Sequence, residues 1–219
     1  YRAVNQELLA KMLHQMDDLK GAAKKAAEKS ISADTSIISR RNGFAYLNDL
    51  FIQRHQKILW KATKRIAEVI VLLFLAALAA VRLVPEAAKV FNEILLSWLP
   101  YFTFIMYSLN RGTGFTRALF MNCDHCLLTY GFFKEPKSIL ALFRIRLWEI
   151  IKINAVPAAL LGVGLAVLLY ASGGTGNPLD YVVLVVTLLS LSVFFSIHYL
   201  TIYYLLQPYN IEAEQKSAV

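Results

Sequence analysis

Charge is nearly absent from four long stretches of this chain, and that absence decides its class. The 219 residues are 57% hydrophobic with a mean hydropathy of +0.49, above the ~45–50% apolar content of ordinary soluble domains. The excess is gathered in the four charge-poor blocks, as expected where lipid is part of the solvent. Cysteine is also scarce. Cys123 and Cys126 are the only two, and no second pair exists to complete a four-ligand zinc site. The sequence has no Gly-x-x-x-x-Gly-Lys-Ser/Thr loop, so it does not bind ATP in that manner. It has no His-Glu-x-x-His and no Gly-x-Ser-x-Gly. These absences argue against catalysis by this chain and for no cofactor of its own. The first sixty-five residues are polar and charged, unlike a cleavable signal peptide. A chain starting at Tyr1 reads as a fragment of a longer one.

What is present points to an all-α integral membrane protein with four transmembrane helices, a cytoplasmic N-terminal helix and an interfacial elbow helix. Residues 1–42 read as an amphipathic helix, with Val4, Leu8, Met12, Met16 and Leu19 on one face, followed by a Ser-rich linker. Residues 43–206 form the membrane domain. Its elbow helix, 43–65, has an apolar stripe of Phe44, Leu47, Phe51, Ile58 and Ala62. Arg54, Lys57, Lys61, Lys64 and Arg65 make a cationic face that suits the headgroup layer. The spans are expected at about 66–84, 90–108, 150–171 and 181–206, with Pro100 able to kink the second. Residues 207–219 form a polar tail.

Basic residues set the orientation. Net charge is +8, from 23 Lys and Arg against 15 Asp and Glu. Residues 1–65 hold thirteen of the cations and 109–149 hold six, whereas 82–89 hold two and 172–180 none. The positive-inside rule then puts both termini and the 109–149 segment in the cytoplasm. It also accounts for the basic pI without nucleic acid. In a reducing compartment Cys123 and Cys126 are not expected to form a structural disulfide.

Two groups of residues could carry chemistry. Cys123, Asp124, His125 and Cys126 form a compact set, and a metal or redox site using Cys123, His125 and Cys126 is one reading. On a helix His125 would point away from the two thiols. Lys152, Asn154 and His198 are polar groups within the third and fourth spans. Their depth allows an Asn154–His198 contact, with Lys152 snorkelling to the interface. One interhelical hydrogen bond is the simpler role. Gly162, Gly164, Ser190, Ser192 and Ser196 offer small faces for close helix packing.

The most distinctive stretch is Arg117-Ala-Leu-Phe-Met-Asn-Cys-Asp124, then Leu127-Leu-Thr-Tyr-Gly-Phe-Phe-Lys134, Pro136-Lys-Ser-Ile-Leu140 and Phe143-Arg-Ile-Arg-Leu147, leading to Asn154 and Pro157. With Gly43-Phe-Ala-Tyr-Leu-Asn-Asp-Leu-Phe51, it resembles the permease subunits of bacterial ATP-binding-cassette exporters, most of all exporter permeases of Firmicutes. The likeness covers about residues 43–160. It implies a multi-pass subunit of the bacterial cell membrane, working with a separate ATPase and with a second transmembrane half or a homodimer partner. Such permeases usually have six or more spans, and this chain departs from that with four. The ATPase contact would fall on Asn122, Asp124, Leu127, Leu128, Tyr130, Phe133 and Lys134. Asn122 or Asp124 could cap a helix near Cys123, and Pro136 suits the first turn of the next. In that helix Ile139, Leu140, Phe143 and Leu147 share a face, with Arg144 and Arg146 off it. A non-transporting membrane scaffold is the remaining alternative.

Overall fold

A computed structural model describes residues 38–127 and 130–209, with five positions nearer the N-terminus. Apart from those five positions, the expected 1–29 helix lies outside the described residues, as does the tail beyond Tyr209. The described chain is helical, and three helices are long and apolar enough to cross a membrane. They are α1 (Gly43–Leu83), α6 (Pro136–Ala171) and α7 (Leu179–Leu206). Between α1 and α6 run α2 (Pro85–Ser97), a 3-10 turn (Leu99–Tyr101), α3 (Phe102–Leu109), α4 (Gly112–Leu119), a π turn (Phe120–Asp124), the single turn α5 (His125–Leu127) and a 3-10 turn (Gly131–Lys134).

Local chemistry places these boundaries. Val84 is extended ahead of Pro85, as a residue before proline prefers. Pro85 then opens α2, where its missing donor costs nothing, and Glu86 faces the positive end of the helix dipole. Ser97 turns its hydroxyl back onto the Glu93 carbonyl at 3.0 Å, and Pro100 lies in the 3-10 turn. The stretch expected as one helix, 90–108, is therefore two helices meeting at this break. At the end of α6 the chain reverses through Gly173 (φ 122°) and Gly174 (φ 72°), conformations that an L side chain resists. Asn92 of α2 donates to the Gly174 carbonyl at 2.8 Å and fastens this loop.

α1 also differs from expectation. The elbow and first span are one continuous helix of 41 residues, about 60 Å long, twice the thickness of a hydrocarbon core. A separate helix lying flat in the interface is not observed. The buried stripe is Asn48, Phe51, His55, Leu59 and Thr63, which shares only Phe51 with the expected one. Packing against the rest of the bundle overrides the most apolar face.

α6 is the central helix and packs along both α1 and α7. The core has two layers. One joins Ile70, Met106, Leu161, Leu165, Leu184 and Leu188, within the apolar lengths of the long helices. The other joins Phe51, Phe115, Leu119, Ile150, Leu200 and Tyr209, toward their basic end. Around the first layer, large apolar side chains face outward, including Leu72, Leu73 and Leu75, each more than half exposed. Such an apolar exterior is what hydrocarbon surroundings require and what water would penalise.

Candidate functional site

The basic end holds the densest set of buried polar contacts. Asp124 ends the π turn and Arg146 lies in α6, and each is only 1% exposed. Their side chains pair through two bonds, Nη1 to Oδ2 at 2.6 Å and Nη2 to Oδ1 at 2.5 Å. Two tyrosines of α7 complete the set. The Tyr203 hydroxyl donates to Asp124 Oδ2 at 2.7 Å, and the Tyr204 hydroxyl accepts from Arg146 Nη1 at 2.6 Å. The fork-to-carboxylate geometry is the strong form of a charged hydrogen bond. It offsets a desolvation cost of several kcal/mol per ion. Three elements distant in sequence are thereby fixed at one point.

Two smaller contacts hold the same region. Asn154 accepts from the Arg111 backbone N–H at 2.8 Å and donates to Ser196 Oγ at 2.9 Å. This one amide joins α6, α7 and the start of α4. The Thr116 hydroxyl meets the Tyr209 hydroxyl at 2.8 Å, tying α4 to the chain after α7. Asn154→Ala leaves the Arg111 N–H and the Ser196 hydroxyl without this partner. It is expected to cost about 1–3 kcal/mol, read as a lower melting temperature of the purified protein. Ser196→Ala, which removes only one of the two bonds, is expected to cost less. Equal melting of all three proteins would contradict the assignment of Asn154 as the junction.

The residues singled out from the sequence are distributed unevenly around this site. Asp124 and Phe133 are buried, so neither presents its side chain to a partner. Asp124 does not cap a helix. Asn122 does not either; it is exposed and donates to the Ala118 carbonyl at 2.9 Å, since the chain continues from α4 through the π turn. Leu127 is half-buried and Tyr130 is exposed. Leu128 and the side chain of Lys134 lie outside what is described. Lys152 is exposed and pairs with Glu149 at 3.0 Å. His198 faces outward and stacks on Phe194, while Asn154 bonds to Arg111 and Ser196 instead.

Cys123 is half-buried, His125 sits edge-on to Phe120, and Cys126 is exposed; the two cysteines form no disulfide. Burial, then the neighbouring Asp124 charge, pushes the Cys123 thiol up to about 11. A protonated thiol is a poor nucleophile and metal ligand at neutral pH. No group of three or more His, Cys, Asp or Glu is placed to hold a metal among the described residues.

Arg146 was expected off the apolar face, and the structure corrects this. Leu142, Arg146, Ile150, Ile153 and Asn154 form the buried stripe of α6, whereas Leu140 is 68% exposed. The spacing of four from Leu142 through Arg146 to Ile150 was the available signal. Tyr203 and Thr116 carried none, because their partners lie far away in sequence. No family model matches this sequence, and no curated protein or solved structure matches it either.

Proposed function

We propose that this chain is a transmembrane permease subunit of an ATP-driven exporter in the bacterial cell membrane, coupled through residues 109–149 to a separate ATPase. The observation that carries this reading is the Asp124–Arg146–Tyr203–Tyr204 lock. A coupling segment must move with the spans. Here the chain from Gly112 to Leu127 is joined to α6 by a buried bidentate ion pair and to α7 by the Tyr203 hydroxyl that donates to Asp124. In this reading α2 and α3, broken at Pro100, together make a fourth crossing. The basic end and both termini face the cytoplasm, ATP is hydrolysed on the partner, and a second transmembrane half completes the path. Exposed Tyr130 and the neighbouring Leu127 supply the contact, and Asp124 and Phe133 hold its shape from within.

The test is purification under mild detergent from the native membrane. An ATPase subunit is expected to accompany the protein. Tyr130→Ala combined with Leu127→Ala is expected to reduce its recovery at least about tenfold, as losing a central aromatic anchor does at other interfaces. Melting of the variant checks that it remains folded. Recovery without any ATPase, or undiminished recovery with the double variant, would remove the exporter reading. A tag inserted between Gly173 and Asn177 should be reached only from outside the cell, and labelling from inside would overturn the orientation.

A further inference from the structure

A cavity of about 60 Å³ lies between α1, α4 and α6, lined by Ile58, Leu59, Arg111, Gly114, Phe115 and Ile153. Its walls are apolar except at Arg111. The Arg111 backbone N–H is used by Asn154. Its guanidinium has no hydrogen-bond or ion-pair partner among the described residues. It lies over Gly114, where an added Cβ would come within 3.3 Å of Nη2. Glycine at 114 thus leaves room for the guanidinium beside the cavity.

Cations outnumber acids around the cavity. Arg54, Ile58, Lys61 and Arg65 recur at spacings of four, three and four, so they share a face of α1. Ile58 lines the cavity, and the three cations of that face are exposed. The α4 helix adds Arg117 and no acid. The nearest acid on α6 is Glu149, one turn before Ile153, and it is paired with Lys152. On α1, Glu68 lies one turn beyond Arg65, within the first turn of the apolar run that starts at Ile66.

Depth narrows the ligand. On the α6 wall the cavity stands where the charge-free run begins, directly after Lys152. On the α1 wall it stands two turns before the apolar run that starts at Ile66. This is the level of lipid headgroups at the edge of a bilayer.

We propose that this cavity binds the phosphate of an anionic phospholipid from the leaflet at the basic end, with Arg111 as its hydrogen-bonding cation and Ile58, Leu59 and Ile153 against the glycerol and upper acyl carbons. A guanidinium recognises phosphate through paired donors. An apolar lining suits a lipid ester better than a fully hydrated free ion. The inference needs the membrane location of the chain and does not depend on an ATPase partner.

Native mass spectrometry of the detergent-purified full chain tests it, with phosphatidylglycerol or phosphatidylcholine added. Phosphatidylglycerol is expected to be retained in preference. Arg111→Gln is expected to lower its retention about tenfold, as loss of a charge-assisted contact does. Arg117→Gln, on the same helix but not lining the cavity, should lower retention much less. Ile58→Phe fills the cavity without changing charge and should also lower retention; it carries the test if Arg111→Gln does not fold. Melting temperatures show which variants remain folded. Equal losses from Arg111→Gln and Arg117→Gln would mean diffuse attraction and overturn the site. So would unchanged retention in both Arg111→Gln and Ile58→Phe. Displacement of the lipid by millimolar inorganic phosphate, with Arg111-dependent uptake of phosphate alone, would overturn the lipid assignment.

Discussion

Asp124→Ala is expected to destabilise the protein by about 3–5 kcal/mol, the usual cost of removing one partner from a buried ion pair. The substitution leaves Arg146, 1% exposed, as a charge inside an apolar layer. It also strips the Tyr203 hydroxyl of its acceptor. Arg146 already carries one orphaned donor, since its Nε has no partner, so little slack remains to absorb a second loss. Arg146→Met should cost a comparable amount by stranding the carboxylate. The double variant Asp124→Ala with Arg146→Met is the decisive measurement. Removing both charges eliminates the desolvation penalty together with the attraction. The double variant should therefore melt above either single one. Proteolysis of the 112–134 segment should follow the same order. If Asp124→Ala melts with the wild type, the pair is not the lock described. If the double variant melts at the sum of the single losses, the two side chains are not coupled.

The sequence and the structure agree where a rule is local or repeated. The apolar runs within α1, α6 and α7 are legible because a bilayer needs about twenty apolar residues in a row. Pro136 at the first turn of α6 follows from its missing donor. The break near Pro100 has the same origin, although the 3-10 turn separating α2 from α3 does not follow from one proline. Less legible are features decided by partners remote in the chain. Asn48, His55 and Thr63 are buried on α1 because that side meets the rest of the bundle, and no periodicity of apolar residues marks it. Arg146 looks like one more interfacial cation until Asp124, twenty-two residues earlier, is seen to reach it. The π turn that carries Asp124 inward leaves no residue signature either, although such turns often occur where function needs a redirected side chain.

Close packing of α6 supplies the second large effect, and its two glycines are expected to respond differently to the same substitution. At Gly162 an added Cβ would lie 3.0 Å from the Val185 Cα of α7. The obstacle is backbone, so relief requires α6 and α7 to separate along the layer that contains Leu165, Leu184 and Leu188. Gly162→Leu is expected to cost roughly 3 kcal/mol, the upper part of the range for overpacked sites, because small residues there let the helices approach. At Gly164 the obstacle is the ring of Phe74 on α1, a side chain that can be shortened. Gly164→Leu alone should also destabilise, by about 1–3 kcal/mol. Paired with Phe74→Ala it should recover much of that loss, since the new side chain enters the space the ring vacates. Val185→Ala offers Gly162→Leu no such relief, because trimming the valine leaves its Cα in place. Thermal melting of the two pairs decides between backbone and side-chain contact. Rescue at Gly162 by Val185→Ala, or its failure at Gly164 with Phe74→Ala, would show that α6 does not approach its neighbours in this way.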